Sequence, residues 1–149
     1  MAVTAKWYGL ALKGQYSTTA TNRVDWVTDT IKVALTTSAY TPNQDTHDFF
    51  DDITNEVVGT GYTAGGASLA NKVTPIYDTA SNEMRLDADD AVWATSSLTA
   101  RYAILYKSTG TASTSPLLGY VDFGGDQTTS AADFTIQWDA TGVLKITAL

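Results

Sequence analysis

The stretch TARYAILY, Thr99 to Tyr106, constrains the fold more than any other part of the chain. On an extended backbone Tyr102, Ile104 and Tyr106 share one side with Ala100, while Ala103 and Leu105 share the other with Arg101. Apolar residues on both sides of a two-residue period predict a central strand, covered on both faces. Two further runs alternate on one side: IKVAL groups Ile31, Val33 and Leu35, and DFTIQW groups Phe134, Ile136 and Trp138. Turn-forming segments separate such runs. DTASNE lies between PIY and MRL, STGTASTSP between TARYAILY and LLGYVDF, and DATG between TIQW and VLKI.

Short strands at this spacing, in a chain rich in threonine, predict an all-β domain: an antiparallel β-sandwich or jelly-roll-like fold. The 149 residues are read as one domain, 1–149, with no internal repeat and a mobile loop at 108–115. Two segments break the strand pattern. AKWYGLALKG spaces Trp7, Leu10 and Ala11 like one face of a short helix ending at Gly14, so residues 1–14 are expected to form a short N-terminal helix or arm. THDFFDDI predicts one helical turn near residues 46–53, with Asp45 or Thr46 as N-cap and acids in its first turn.

Nine basic and sixteen acidic residues give a net charge of -7, and the basic ones are scattered singly. That disfavours nucleic acid, which needs a concentrated positive surface, and equally an anionic membrane surface. No apolar run approaches the ~20 residues of a membrane span, and the first twenty residues lack a basic leader with a long apolar core, so the protein is expected to be made and kept in soluble form. There is no cysteine, hence no disulfide, thiolate ligand or thiol nucleophile.

Three clusters invite a chemical reading. The only histidine, His47, sits among Asp45, Asp48, Asp51 and Asp52, but one imidazole supplies one nitrogen, and a zinc site needs three or four convergent ligands. The cluster reads as a solvated, capped acidic turn, with weak calcium binding as the alternative. LDADDAVW begins like a calcium loop, yet Val92 stands where the obligatory glycine belongs and Leu98 where the bidentate glutamate belongs. It reads as a solvated strand edge. GYTAGGAS has Ala67 where a phosphate-binding loop needs lysine, so its glycines are read as supplying positive φ or close backbone approach in a bent strand.

No GxSxG elbow accompanies His47; paired carboxylates remain the one catalytic class the sequence leaves open. The expectation is no enzyme, with no catalytic, cofactor or metal residues. Trp7 and Tyr8 are candidates for contact with another chain, and Phe49 and Phe50 are expected to anchor their turn to the core or to a neighbouring subunit.

The run from VDWVTDTIKVALTTSAY through GTGYTAGGASLANK, the later LDADDAVW, and TARYAILYKSTGTASTSPLLGYVDFGGD together resemble a family of small virion structural proteins of tailed bacteriophages, over roughly Ala5 to Ile146. The resemblance implies a non-enzymatic building block, in the favoured reading a capsid decoration (cement) protein on the outer surface of the virion. Its partners would be the major capsid protein and copies of itself, as a homotrimer around a local threefold axis. Synthesis would be in the host cytoplasm. A tail, neck or fibre component, or a glycan-binding module on the virion, is the alternative. No catalytic residue is carried over.

Overall fold

The strand expected from TARYAILY is part of a much longer one. In the computed structural model, which describes residues 2–148, the elements run β1 (Lys6–Trp7), α1 (Gly9–Gly14), β2 (Ile31–Thr36), β3 (Ala67–Ser68), β4 (Ile76–Asp78), β5 (Glu83–Leu86), β6 (Ala91–Lys107), β7 (Leu117–Ile136) and β8 (Leu144–Thr147). They form two antiparallel sheets, ordered β1-β7-β6-β2-β3 and β4-β5-β8, in an all-β, sandwich-like fold. β6 lies in the middle of the larger sheet, and Ala103 to Tyr106 are all buried, as its two-sided pattern requires. The three turn segments fall where composition puts them, at the β4–β5, β6–β7 and β7–β8 junctions.

The alternation within β6 is not uniform. Ala91 and Trp93, then Leu98 and Ala100, then Ala103 and Leu105 all enter the same core, although the middle pair has the opposite parity. The ladder shifts register between Trp93 and Ser96, Ser96 and Leu98, Ala100 and Tyr102, and Leu105 and Tyr106, with Thr95 at φ 49. The faces exchange across Trp93 to Leu98 and again across Ala100 to Tyr102, as an extra residue in a strand makes them do. The expectation that Ala100 shares a face with Tyr102 and Ile104 is therefore corrected: the bulge puts it on the opposite side.

β7 also departs from a straight strand. Phe123 and Phe134 are 134 − 123 = 11 residues apart, about 36 Å along a straight strand, yet their ring centres are 5.9 Å apart. The N-terminal segment agrees: Lys6 pairs with Tyr120, while Val3 bridges Trp138, and residues 3 to 6 can span at most about 11 Å. β7 thus doubles back, with positive φ at Gly124 and Ala131 on either side of the bend.

The larger sheet is covered on both faces. One core joins it to the smaller sheet through Ile31, Val33, Leu35, Leu105, Leu118, Val143 and Leu144, with Trp26, Trp93 and Trp138. A second core on the other face collects Tyr8 and Ala11 from the α1 region, Tyr40, and Ala34, Ile104, Tyr106 and Leu117 from the sheet.

The helical expectations need trimming. Lys6 and Trp7 are extended, and only Gly9–Gly14 is helical. Between 46 and 53 a single 3-10 turn forms, Phe50–Asp52. Asn43, not Asp45 or Thr46, caps the preceding bend: its Oδ1 accepts the N–H groups of Asp45 and Thr46 at 3.0 and 3.2 Å, and its carbonyl accepts that of His47 at 3.2 Å. The asparagine side chain takes the first two donors and its carbonyl the third, so the bend closes as a single turn that does not continue into a helix.

Candidate functional site

Of the four aromatics singled out in the sequence, Tyr8 and Phe50 join the second core, Trp7 packs against both cores, and Phe49 lies beside α1. Tyr8 is fully buried, so its reading as a contact for another chain is corrected. Extended backbone at Lys6–Trp7 fixes the cause: Tyr8 N–H donates to the Leu118 carbonyl at 3.0 Å, which turns the next side chain into the second core. Trp7 is half-buried, its indole N–H donating to the Lys145 carbonyl at 2.7 Å. Phe50 stacks on Tyr106 with ring centres 4.0 Å apart, which is the core anchoring expected of it. Phe49, half-buried, pairs with Pro116 and borders a cleft of about 140 Å3 against α1, beside Leu10 and Lys13.

Inside this layer the hydroxyls form a chain. Tyr8 and Tyr40 hydroxyls lie 2.9 Å apart, and Tyr40 Oη lies 2.8 Å from His47 Nδ1. With Nδ1 as acceptor, Tyr40 donates to His47 and Tyr8 donates to Tyr40, which satisfies both buried hydroxyls. Burial pushes the Tyr8 phenol well above its ordinary range and that of Tyr40 up to about 12. The imidazole is thus the outer end of a structural relay. Asp48 is held above the usual carboxylate range by burial and by neighbouring Asp52, whose Oδ2 accepts the Asp48 N–H at 2.9 Å. Among the described residues, no three His, Asp or Glu side chains converge to hold a metal.

No family model, curated protein or solved structure matches this chain. What the two signature-like segments do must therefore be read from their own contacts.

LDADDAVW is a clip for two tryptophans. The Asp87 carbonyl accepts from Trp26 Nε1 at 3.0 Å, the Asp89 carbonyl from Trp138 Nε1 at 3.1 Å, and Asp90 Oδ1 from the Trp138 backbone N–H at 2.8 Å. Asp89 and Asp90 are exposed, as a solvated edge requires, but the Asp89 carbonyl holds the Trp138 indole and the Asp90 carboxylate its backbone N–H. GTGYTAGG behaves as its glycines suggest. Gly61, Gly65 and Gly66 have φ of 81, 86 and 72, and a Cβ on Gly66 would overlap the Val33 carbonyl oxygen. Only Ala67–Ser68 pairs as a strand, so the segment is mainly a loop laid over β2. Two tyrosines clasp it: Tyr62 donates to Glu56 Oε1 at 2.6 Å, and Tyr106 to the Gly65 carbonyl at 2.7 Å.

Sequence reasoning did not find Tyr40, Tyr62 or Glu56. Tyr40 and Glu56 lie in irregular segments without a period, and Tyr62 lies among glycines that drew the reading of its segment. The available signal was a tyrosine flanked by turn residues, in SAYTP and TGYTAGG.

Proposed function

We infer that the protein is a non-enzymatic structural component of a tailed-phage virion, in the role of a capsid decoration protein that binds outside the major capsid shell and bridges its subunits. The observation that carries this reading is the use made of the segments bearing the family resemblance. GTGYTAGG is laid on β2 and clasped by two tyrosines, and DADDAVW fixes Trp26 and Trp138. Residues so used build a durable fold and offer no reacting groups. The half-buried Trp7, Phe49 and Phe50 keep part of their rings open to such contacts.

Binding to the assembled lattice in preference to free subunits stabilises the lattice by mass action, and many modest copies act together. A net charge of -7 suits an outer surface and opposes capture of the genome within. Threefold placement would make the bound form a trimer with repeated contacts.

Quantitative mass spectrometry of purified particles tests this. A copy number in proportion to the major capsid protein is expected. A copy number like that of tail or neck proteins would move the protein to those structures, and absence from intact particles would end the virion reading.

A further inference from the structure

Where β7 doubles back, its two arms and Val3 enclose a notch of about 290 Å3, at the lower end of the ~300–1,000 Å3 typical of small-molecule pockets. Its wall carries Phe123, half-buried and held edge-on against Phe134 with an interplanar angle of 65°. Around that ring stand Gln127, Asp133, Thr135 and Gln137.

Their polar atoms are incompletely used. Gln127 donates to the Gly125 carbonyl at 3.2 Å, and its Oε1 has no partner among the described residues. Asp133 Oδ1 accepts the Thr95 N–H at 2.9 Å, and its Oδ2 likewise has none among them. Among the described residues the side chains of Thr135 and Gln137 make no hydrogen bond within the protein; both are exposed at the mouth. A fixed aromatic ring ringed by two amides, a hydroxyl and a carboxylate is matched by a ligand with an apolar face and a rim of hydroxyls, which is a sugar.

Charge narrows the class. No Lys, Arg or His occurs between Lys107 and Lys145, so nothing cationic comes from β7, and Asp133 is the one acidic or basic side chain in the wall. An acidic sugar would meet repulsion without a compensating pair. An added peptide strand is also a poor fit, because positive φ at Gly124 and Ala131 breaks the edge it would pair with.

We propose that this notch binds an uncharged saccharide of one or two rings, stacked on Phe123 and hydrogen-bonded by Gln127, Asp133 and Gln137. The site belongs to the isolated protein. Its absence from particles would remove the virion reading and leave the site standing, whereas a failed sugar screen would do the reverse.

The test is a glycan array of neutral and acidic saccharides probed with the full chain, followed by NMR titration of the best neutral glycan. Binding to neutral glycans is expected, with amide shifts confined to 123–137. Gln137→Ala, at an exposed position, should weaken binding about tenfold without changing thermal stability; Tyr16→Ala, 93% exposed, should not alter affinity. The proposal is overturned if no neutral glycan binds, if acidic glycans bind better, if the shifts map elsewhere, or if Gln127→Ala and Gln137→Ala both leave affinity unchanged.

Discussion

On one face of the five-stranded sheet the cover is aliphatic and tryptophan-rich, and the indoles of Trp26 and Trp138 reach outward to backbone carbonyls. On the other face Tyr8, Tyr40 and Tyr106 do the covering, and two of their hydroxyls bond to one another inside the core. The first core holds mainly by area and shape, with its buried side chains aliphatic, indole or phenyl. The second holds partly by directional bonds, so it fails in specific and separable ways.

The largest effect should come where both cores are clasped together. Gly66 lies between Tyr62, which packs on the first core, and Tyr106 of the second, and it combines φ 72 with backbone contact to β2. Gly66→Ala therefore has to displace the loop from β2, and no rotamer relieves a clash of Cβ with a carbonyl. Loss of soluble folded protein, or the steepest fall in thermal midpoint of any single substitution here, is expected. A midpoint within a few degrees of the parent would show that the loop is not the shared clasp.

Leu105→Ala follows, confined to the first core. Full burial within the first core predicts a loss of about 2–5 kcal/mol by denaturant titration. That loss should be the same at neutral and at alkaline pH, since the substitution removes methyl groups and no titrating group.

The tyrosine layer should answer differently. Tyr40→Phe leaves the buried Tyr8 hydroxyl without its partner, at a cost of about 1–3 kcal/mol. The double variant Tyr8→Phe, Tyr40→Phe removes both groups and should be less destabilised than Tyr40→Phe alone. If the two losses simply add, the hydroxyl chain is not a coupled unit. Alkali attacks the same layer. Burial raises Tyr40 and Tyr106 from 10.0 to about 12, and a phenol whose folded pKa is raised favours folding fully below pH 10 and loses that contribution as pH climbs from 10 toward 12. Near-ultraviolet phenolate absorbance should show these groups ionising only as the protein unfolds in that window.

The contrast also marks what a sequence can disclose. The first core was legible because its strands alternate, as in Phe134, Ile136 and Trp138, and the sheet's centre was legible from Ala103 to Tyr106. The bulges were not, because Ser, Thr and Ala around Thr95 and Ala131 fit either face, and nothing local announces which residue is the extra one. The fold-back of β7 was hidden for a related reason: GGDQTTSAAD looks like a loop, and only the pairing with β6 makes it strand. The tyrosine core was hidden because its members come from the α1 region, three strands and an irregular loop, which share no period. Tyr8 was misread as outward for that reason.

The smallest expected effect has the opposite sign. Thr36 is fully buried, and by alternation with Leu35 it faces the tyrosine side of β2, yet its hydroxyl has no hydrogen-bond partner among the described residues. A buried polar group without a partner costs folding energy, whereas a methyl in its place would pack without desolvation. Thr36→Val should then stabilise the protein by about 1 kcal/mol, which for a chain of this length raises the thermal midpoint by roughly 2–4 °C. A fall instead of a rise would mean that the hydroxyl does hold a partner in solution, such as an ordered water, and that the tyrosine face is more thoroughly hydrogen-bonded than the contacts within the chain indicate.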